Sequence, residues 1–236
     1  MPTDPLERAH LNAWLERQPP QVVLRWAVEN WGAGLVMTSA FGLNGVALVH
    51  MLQEISRDVP IVFVDTGCLF KETLETKRRI EAAYGVTVLT FKPELSLEAQ
   101  ALQYGSDLHA RQPDVCCALR KVRPMARSMA ELGPAAVLNG RARFQARTRG
   151  GLQVIEWERT PIRINPLAGW TQGQIELYVK AHKVPYNPLH DAGYPSIGCR
   201  PCTRPVSVGE HVRAGRWGGL GKTECGLWTT NYTVAS

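Results

Sequence analysis

The sequence predicts an α/β fold: a mostly parallel sheet flanked by helices, with a cysteine-bearing segment at its carboxyl end. Three observations carry this. Short apolar runs alternate with helical patterns from Gly34 to Lys183, the turns between them hold glycine or Asp-Thr-Gly, and beyond Pro185 periodicity fades into Gly, Pro and Cys. With 236 residues, 44% of them hydrophobic and 20% charged, the chain suits one compact domain carrying a full core.

Residues 3–31 read as helical, with Leu6, Ala9, Leu11, Trp14 and Leu15 before a break at Pro19-Pro20, and Val22, Val23, Trp26 and Ala27 on a second helix. A buried strand is expected over Gly34–Ser39, a helix from Val46 through Leu52 to Ile55, a strand over Pro60–Asp65, a charged amphipathic helix over Lys71–Tyr84 and a third strand over Val86–Phe91. Further on, Lys121–Leu132 is expected as a helix with Pro124 in its first turns and Ala135–Asn139 as a strand. Gln153–Glu158 alternates as a strand, Arg163–Leu167 is extended, and Thr171–Lys183 is a helix opened by a threonine cap. The last quarter needs something other than a regular core to hold it, and a metal centre would serve.

The amino end lacks an apolar signal region and no run approaches the ~20 residues that span a bilayer, so the expectation is a soluble, cytoplasmic protein without membrane association. A net charge of +6 and a pI near 9.1 suit an anionic partner, whether nucleic acid, an acidic surface or a small phosphate-bearing molecule. The excess concentrates between Arg111 and Arg149, where nine cations face only Asp114 and Glu131. A solvated basic face is the plain alternative.

Four features bear chemistry. Thr38-Ser-Ala-Phe-Gly-Leu-Asn-Gly45 lies between a strand and a helix, where small residues such as Ser39 and Gly42 let backbone N–H groups and the helix amino end approach an anion; an ordinary glycine-bearing βα turn is the alternative. Val64-Asp65-Thr66-Gly67 ends the next strand, at the edge where open α/β sheets bind ligands; it also suits an ordinary turn. Cys116-Cys117 and Cys199-Arg-Pro-Cys202 supply four thiolates in two pairs. Adjacent side chains diverge, which suits the separate irons of an iron–sulfur cluster better than one zinc ion, though zinc and unligated thiols remain readings of the same spacing. Cys225 stands apart in Gly221-Lys-Thr-Glu-Cys-Gly-Leu-Trp228, where a closing tail would deliver a nucleophile; an incidental exposed thiol is the alternative. Arg141, Arg143, Arg147, Arg149, Arg213 and Arg216 suit phosphate or sulfate oxygens. Aromatics do not interleave with them as a base-stacking platform requires, which argues against nucleic acid. Cys68 reads as packing, and His109, His190 and His211 as structural or solvent-facing.

Taken in order, these segments resemble the sulfonucleotide reductases of assimilatory sulfate reduction, specifically the bacterial adenosine 5'-phosphosulfate reductases. The resemblance runs from about Leu35 to Leu227: Ser39-Ala-Phe41-Gly42, Val-Asp-Thr-Gly, Cys116-Cys117 with Lys121, Gly140 with Arg143, Gln145, Thr148 and Arg149, Asn165-Pro-Leu, Pro185-Tyr-Asn-Pro-Leu-His190, Ile197-Gly-Cys-x-Pro-Cys-Thr203, Arg213-x-Gly-Arg216-Trp217 and Lys222-Thr-Glu-Cys-Gly-Leu227. It implies an adenine nucleotide α-hydrolase-like (Rossmann-like) fold. The organisation would be N-terminal helices over 1–31, a nucleotide-binding core over 32–185 and a cluster-binding segment with a mobile catalytic tail over 186–236. It also implies a 4Fe-4S cluster on Cys116, Cys117, Cys199 and Cys202, with Lys121 between cluster and substrate. Ser39, Phe41, Gly42, Asp65, Thr66, Gly67, Arg143, Arg149, Arg213 and Arg216 would join Lys121 around the nucleotide. In the family's mechanism the cysteine matching Cys225 attacks sulfur, expels AMP and becomes an S-sulfocysteine, from which thioredoxin or a similar dithiol releases sulfite. A homo-oligomer is compatible with this scheme.

The chain departs from the family twice. Trp228 stands where a histidine is common, and Gly140-Arg-Ala-Arg143 replaces Gly-Leu-Arg-Arg, so one guanidinium is moved. A 3'-phosphorylated nucleotide is the rival substrate; relatives that require it generally lack the cluster cysteines, all four of which are present here. A zinc protein binding nucleic acid and a tRNA thiolase of the same fold group are more distant rivals, the latter expected to carry Ser-Gly-Gly-x-Asp-Ser in place of Ser39-Ala-Phe-Gly.

Overall fold

The computed structural model describes residues 2, 4–218 and 220–227; Trp228 lies outside them. Two amino-terminal helices, α1 (Pro5–Leu15) and α2 (Pro20–Trp31), each open on a proline, which has no N–H to waste in a first turn. Then β1 (Leu35–Thr38), α3 (Leu43–Gln53), β2 (Ile61–Val64), α4 (Lys71–Tyr84) and β3 (Val88–Phe91) alternate at the expected spacing. Gly85 stops α4 in the left-handed conformation, at φ 63°.

Three short helices follow, α5 (Leu97–Tyr104), α6 (Leu108–Arg111) and α7 (Pro113–Cys117), in a stretch whose sequence showed no clear period. A π-turn over Ala118–Val122 joins α7 to α8 (Arg123–Leu132). The expected helix at Lys121 therefore begins eight residues earlier, at Pro113. Pro124 cannot donate to the carbonyl four residues back, and the chain widens there, with Arg123 N–H bonded to Ala118 O. Next come β4 (Ala136–Asn139), β5 (Ile155–Glu156), β6 (Ile162–Ile164) and α9 (Gln172–Ala181). Thr171 caps α9 as expected: Gln174 N donates to its Oγ1, and Thr171 N to Gln174 Oε1.

The six strands form one sheet in the order β3-β2-β1-β4-β6-β5, parallel except for β5. Of the expected strand over 153–158 only the β5 pair is laddered. Its outer edge is covered by α1, where Asn12 Nδ2 donates to Ile155 O at 2.9 Å and Ile155 N donates to Asn12 Oδ1 at 2.8 Å.

Strand residues alternate between two apolar layers. Leu35, Met37, Ile61, Phe63 and Leu138 meet α2, α3 and α9, while Val36, Val62 and Val137 meet Met125 and Met129 of α8. Chain order reverses between β1 and β4, so their carboxyl ends diverge into the crevice where such sheets hold ligands. Among the described residues, no helix is long and apolar enough to cross a membrane.

Candidate active site

The crevice encloses about 270 Å³. Its floor is the β1–α3 turn, which Ser39 holds twice: Ser39 N donates to Val62 O, and Phe41 N donates to Ser39 Oγ, both at 3.0 Å. Phe41 sits at φ 53° and is fully buried, its ring 5.4 Å from that of Phe63, so packing fixes a conformation a phenylalanine would otherwise avoid. A Cβ on Gly45 would lie 2.5 Å from Ser39 Oγ, and one on Gly140 would lie 3.2 Å from Asn44, so glycine lets the β1 and β4 loops close on each other. Gly42, Leu43, Asn44 and Gly45 line the crevice as the first turn of α3, whose leading N–H groups have no intrahelical acceptor.

Lys121, Arg141, Arg149, Arg213 and Arg216 also line the crevice, together with Cys225. Arg216 is buried; its Nη1 reaches Ser196 Oγ and Ile197 O, each at 3.3 Å. Arg213 Nη2 donates to Thr223 O at 2.7 Å. Both Nε atoms are buried without a hydrogen-bond partner among the described residues. Burial, followed by the neighbouring Arg216 charge, pushes the Arg213 guanidinium down to about 10. Arg213, Arg216 and Lys222 also crowd the buried Trp217 ring, at 5.6, 4.6 and 5.7 Å from its centroid. Buried cations with unsatisfied donors form a receptor for an anion.

Glu224, beside Cys225, receives Arg149 Nε and Nη2 at 2.7 and 2.8 Å and lies 3.6 Å from Arg213. Burial alone would raise its carboxyl, but Arg149 and Arg213 hold it below the usual range.

A second cavity of about 510 Å³ adjoins the first, and Cys116, Cys117, Cys199 and Cys202 all line it, as does the half-buried Cys68. Burial first, then the surrounding thiols, pushes Cys116 up to about 12; burial and Cys199 push Cys202 up to about 11. Helix α7 delivers the first cysteine pair and the turn at 199–202 the second. The two cysteine-bearing pieces are docked through the Asp-Thr-Gly turn: Arg200 N donates to Cys68 O at 2.7 Å, and Thr66 Oγ1 lies 3.2 Å from Cys199 Sγ. Among the described residues, no three His, Cys, Asp or Glu side chains converge on a point that would hold a single metal ion. Lys121 borders both cavities. Burial would lower its ammonium, yet the thiols of Cys199, Cys225 and Cys117 around it hold it above its ordinary value.

The structure thus gathers Ser39, Gly42, Thr66, Lys121, Arg149, Arg213, Arg216 and Cys225 along one crevice, with buried Phe41 under its floor. Gly67 faces the cysteine cavity, while Asp65 Oδ1 accepts from Gly67 N at 3.0 Å and lines neither space. Arg143 lies elsewhere, paired with Glu16, the residue after α1, at 2.5 and 2.7 Å. Arg141 lines the crevice instead, its guanidinium engaged by Glu156, Asn139 and Asn165.

His190, read from sequence as structural or solvent-facing, also lines the crevice. Burial pushes its imidazole down to about 4, against the Tyr194 backbone and Asp191, which pull the other way. The available signal was its place at the end of Pro185-Tyr-Asn-Pro-Leu-His190, one of the segments that carry the family resemblance. Glu224 was passed over because an acidic residue next to a cysteine has no distinctive spacing.

The phosphoadenosine phosphosulfate reductase domain model matches residues 34–205. The chain is 48% identical to the adenosine 5'-phosphosulfate reductase of Deinococcus radiodurans over 89% of this chain and 81% of that one. It is 42% identical to adenosine 5'-phosphosulfate reductase 1 of Bacillus subtilis, over 87% and 88% respectively. Among solved structures, the phosphoadenylyl-sulfate reductase of Candida auris in its phosphate complex superposes with a TM-score of 0.76 at 38% identity, covering 86% of this chain and 99% of that one. An FMN adenylyltransferase of Candida glabrata, at 12% identity, TM-score 0.62 and 83% and 64% coverage, shares the fold alone. With the model spanning most of the chain and relatives above 40% identity over nearly all of it, this chain belongs to the phosphoadenosine phosphosulfate reductase domain family and is an enzyme.

Proposed function

We propose that the protein reduces adenosine 5'-phosphosulfate to sulfite and AMP in assimilatory sulfate reduction, with Cys225 as nucleophile and thioredoxin or a similar dithiol as reductant. The observation that carries this reading is that Cys225 borders the same crevice as the β1–α3 turn, the half-buried Arg213 and the buried Arg216. A nucleotide phosphate at the amino end of α3 puts the attached sulfonate toward the guanidinium wall, within reach of a thiol arriving with the carboxyl-terminal segment.

The Cys225 thiolate attacks the sulfonate sulfur, an S–S bond forms as the S–O bond to phosphate breaks, and AMP leaves with the bond's electron pair. Lys121, Arg213 and Arg216 offset the charge gathering on the phosphate and sulfonate oxygens. A dithiol then attacks the Cys225 sulfur, sulfite departs, and closure of the dithiol to a disulfide supplies the two electrons.

The four thiols around the second cavity fit a 4Fe-4S cluster: two pairs from two elements, each thiolate able to bond its own iron. Cys116, Cys117, Cys199 and Cys202 would hold it, and it would supply fixed charge beside the substrate. Lys121, bordering both spaces, orients toward the nucleotide's anionic end from that side.

The choice of adenosine 5'-phosphosulfate over its 3'-phosphorylated form follows the names of the relatives at 40–48% identity and the presence of four cluster-type cysteines. Anaerobic turnover of both nucleotides by brown, iron- and sulfide-replete protein with thioredoxin tests it. A kcat/KM higher by about tenfold or more for the unphosphorylated nucleotide is expected, since a site built for one polar pattern discriminates by at least that factor. Preference for the 3'-phosphorylated form overturns the choice, and colourless, zinc-replete protein overturns the cluster.

A further inference from the structure

Residues 222–225 belong to no helix or strand, so no backbone ladder sets the position of Cys225. Side chains hold this segment instead. Glu224 receives the two Arg149 bonds and a contact from Thr148 Oγ1 at 3.4 Å. Thr223 O accepts from Arg213. Lys222 pairs with Asp114, and its side chain is only 10% exposed against 86% for the aspartate.

We propose that Asp114 and Arg149 are positioning residues for Cys225: by gripping Lys222 and Glu224, three residues and one residue before it, they hold its thiol against the crevice. The two grips come from separate elements: Asp114 stands on α7, two residues before Cys116, and Arg149 follows β4 and lines the crevice with Glu224 and Cys225. A largely buried ammonium without its carboxylate is costly, and a buried carboxylate without its guanidinium more so, so each pair favours the closed position.

The pairing also redistributes charge. With Arg141 held by Glu156 and Arg149 bidentately by Glu224, the crevice cations whose charge is less committed are Lys121, Arg216 and Arg213, the last of which lies 3.6 Å from Glu224. Arg149 then acts through Glu224 rather than on the nucleotide. This last point rests on the proposed reaction, whereas the grip on Cys225 does not.

The test is the alkylation rate of Cys225 by iodoacetamide, resolved by peptide mass spectrometry in anaerobic, iron-replete full-length protein without nucleotide. Rates are taken across pH, so that plateaus are compared and thiolate fractions drop out. Asp114→Asn is expected to raise the plateau about threefold, the range of an ion pair with one exposed partner. Glu224→Gln, which breaks a largely buried pair, is expected to raise it by about tenfold or more. The exchange Asp114→Lys with Lys222→Asp is expected to return it to within about twofold of the parent, a rescue that general destabilisation would not give. Unchanged rates in Asp114→Asn, whose exposed side chain leaves folding intact, or an exchange variant as fast as Asp114→Asn, overturn the proposal. Absence of sulfite formation by the parent protein overturns the proposed reaction instead and leaves these rates unaffected.

Discussion

At the residue scale, the crevice is made by small groups that allow close approach and by cations, of which Arg213 and Arg216 keep a buried Nε without a hydrogen-bond partner among the described residues. Gly45 is the sharpest case of the first. A Cβ there would lie 2.5 Å from Ser39 Oγ, the atom that accepts Phe41 N–H and holds the turn. Gly45→Ala should push that hydroxyl aside, lowering nucleotide affinity about tenfold by calorimetry and costing about 1–3 kcal/mol of stability. Unaltered affinity would remove the β1–α3 turn from the anion site. The sequence pointed to this loop because small residues between a strand and a helix allow close approach of an anion, although an ordinary glycine-bearing turn has the same pattern. It did not distinguish the arginines, because what separates them is long-range. Arg143 is drawn away by Glu16, 127 residues distant, and Arg149, which stays in the crevice, is engaged by Glu224, 75 residues distant. No local spacing encodes either pair.

At the element scale, two short irregular pieces do much of the positioning. The π-turn over Ala118–Val122 carries Lys121 to the border of the two cavities. Sequence periodicity located the regular part, α8, but helices of four, five and eight residues over 97–117 are too short to show a 3.6-residue period against their own end effects. The turn over Pro188–His190 brings a histidine into the crevice wall with its pKa depressed to about 4 by burial.

The unfolded chain takes up that proton near pH 6.5, so the neutral buried imidazole costs stability as pH falls below that value, until the folded form also protonates near 4. Between pH 7 and 5 the parent should lose about 2 kcal/mol of denaturant-measured stability through this group. His190→Gln should lose that much less over the same interval. Parallel pH profiles for the two proteins would place the imidazole in contact with solvent.

At the scale of the whole molecule, the chain joins a nucleotide-type sheet to a segment with almost no regular structure beyond α9. The first half was legible because alternating strands and helices leave a repeated apolar signature, whereas the β1–β4 reversal that opens the crevice is set by strand order, which that signature does not carry. The last quarter was legible through its cysteines, its arginines and short motifs rather than through any period. Its fold depends on single links between distant pieces: the Leu69–Cys199 and Thr203–Arg216 bridges, Trp217 N to Cys202 O at 3.0 Å, and the ion pairs of Lys222 and Glu224. Together these bring Cys225 to the crevice while leaving it outside the four-thiol set.

The central claim, that this thiol takes the sulfonate, has a direct measurement. Intact-mass spectrometry after incubation with adenosine 5'-phosphosulfate and no reductant should show one added SO3 unit, mapped to Cys225, released by thioredoxin and absent from Cys225→Ser. Sulfonation that persists in Cys225→Ser would contradict the account.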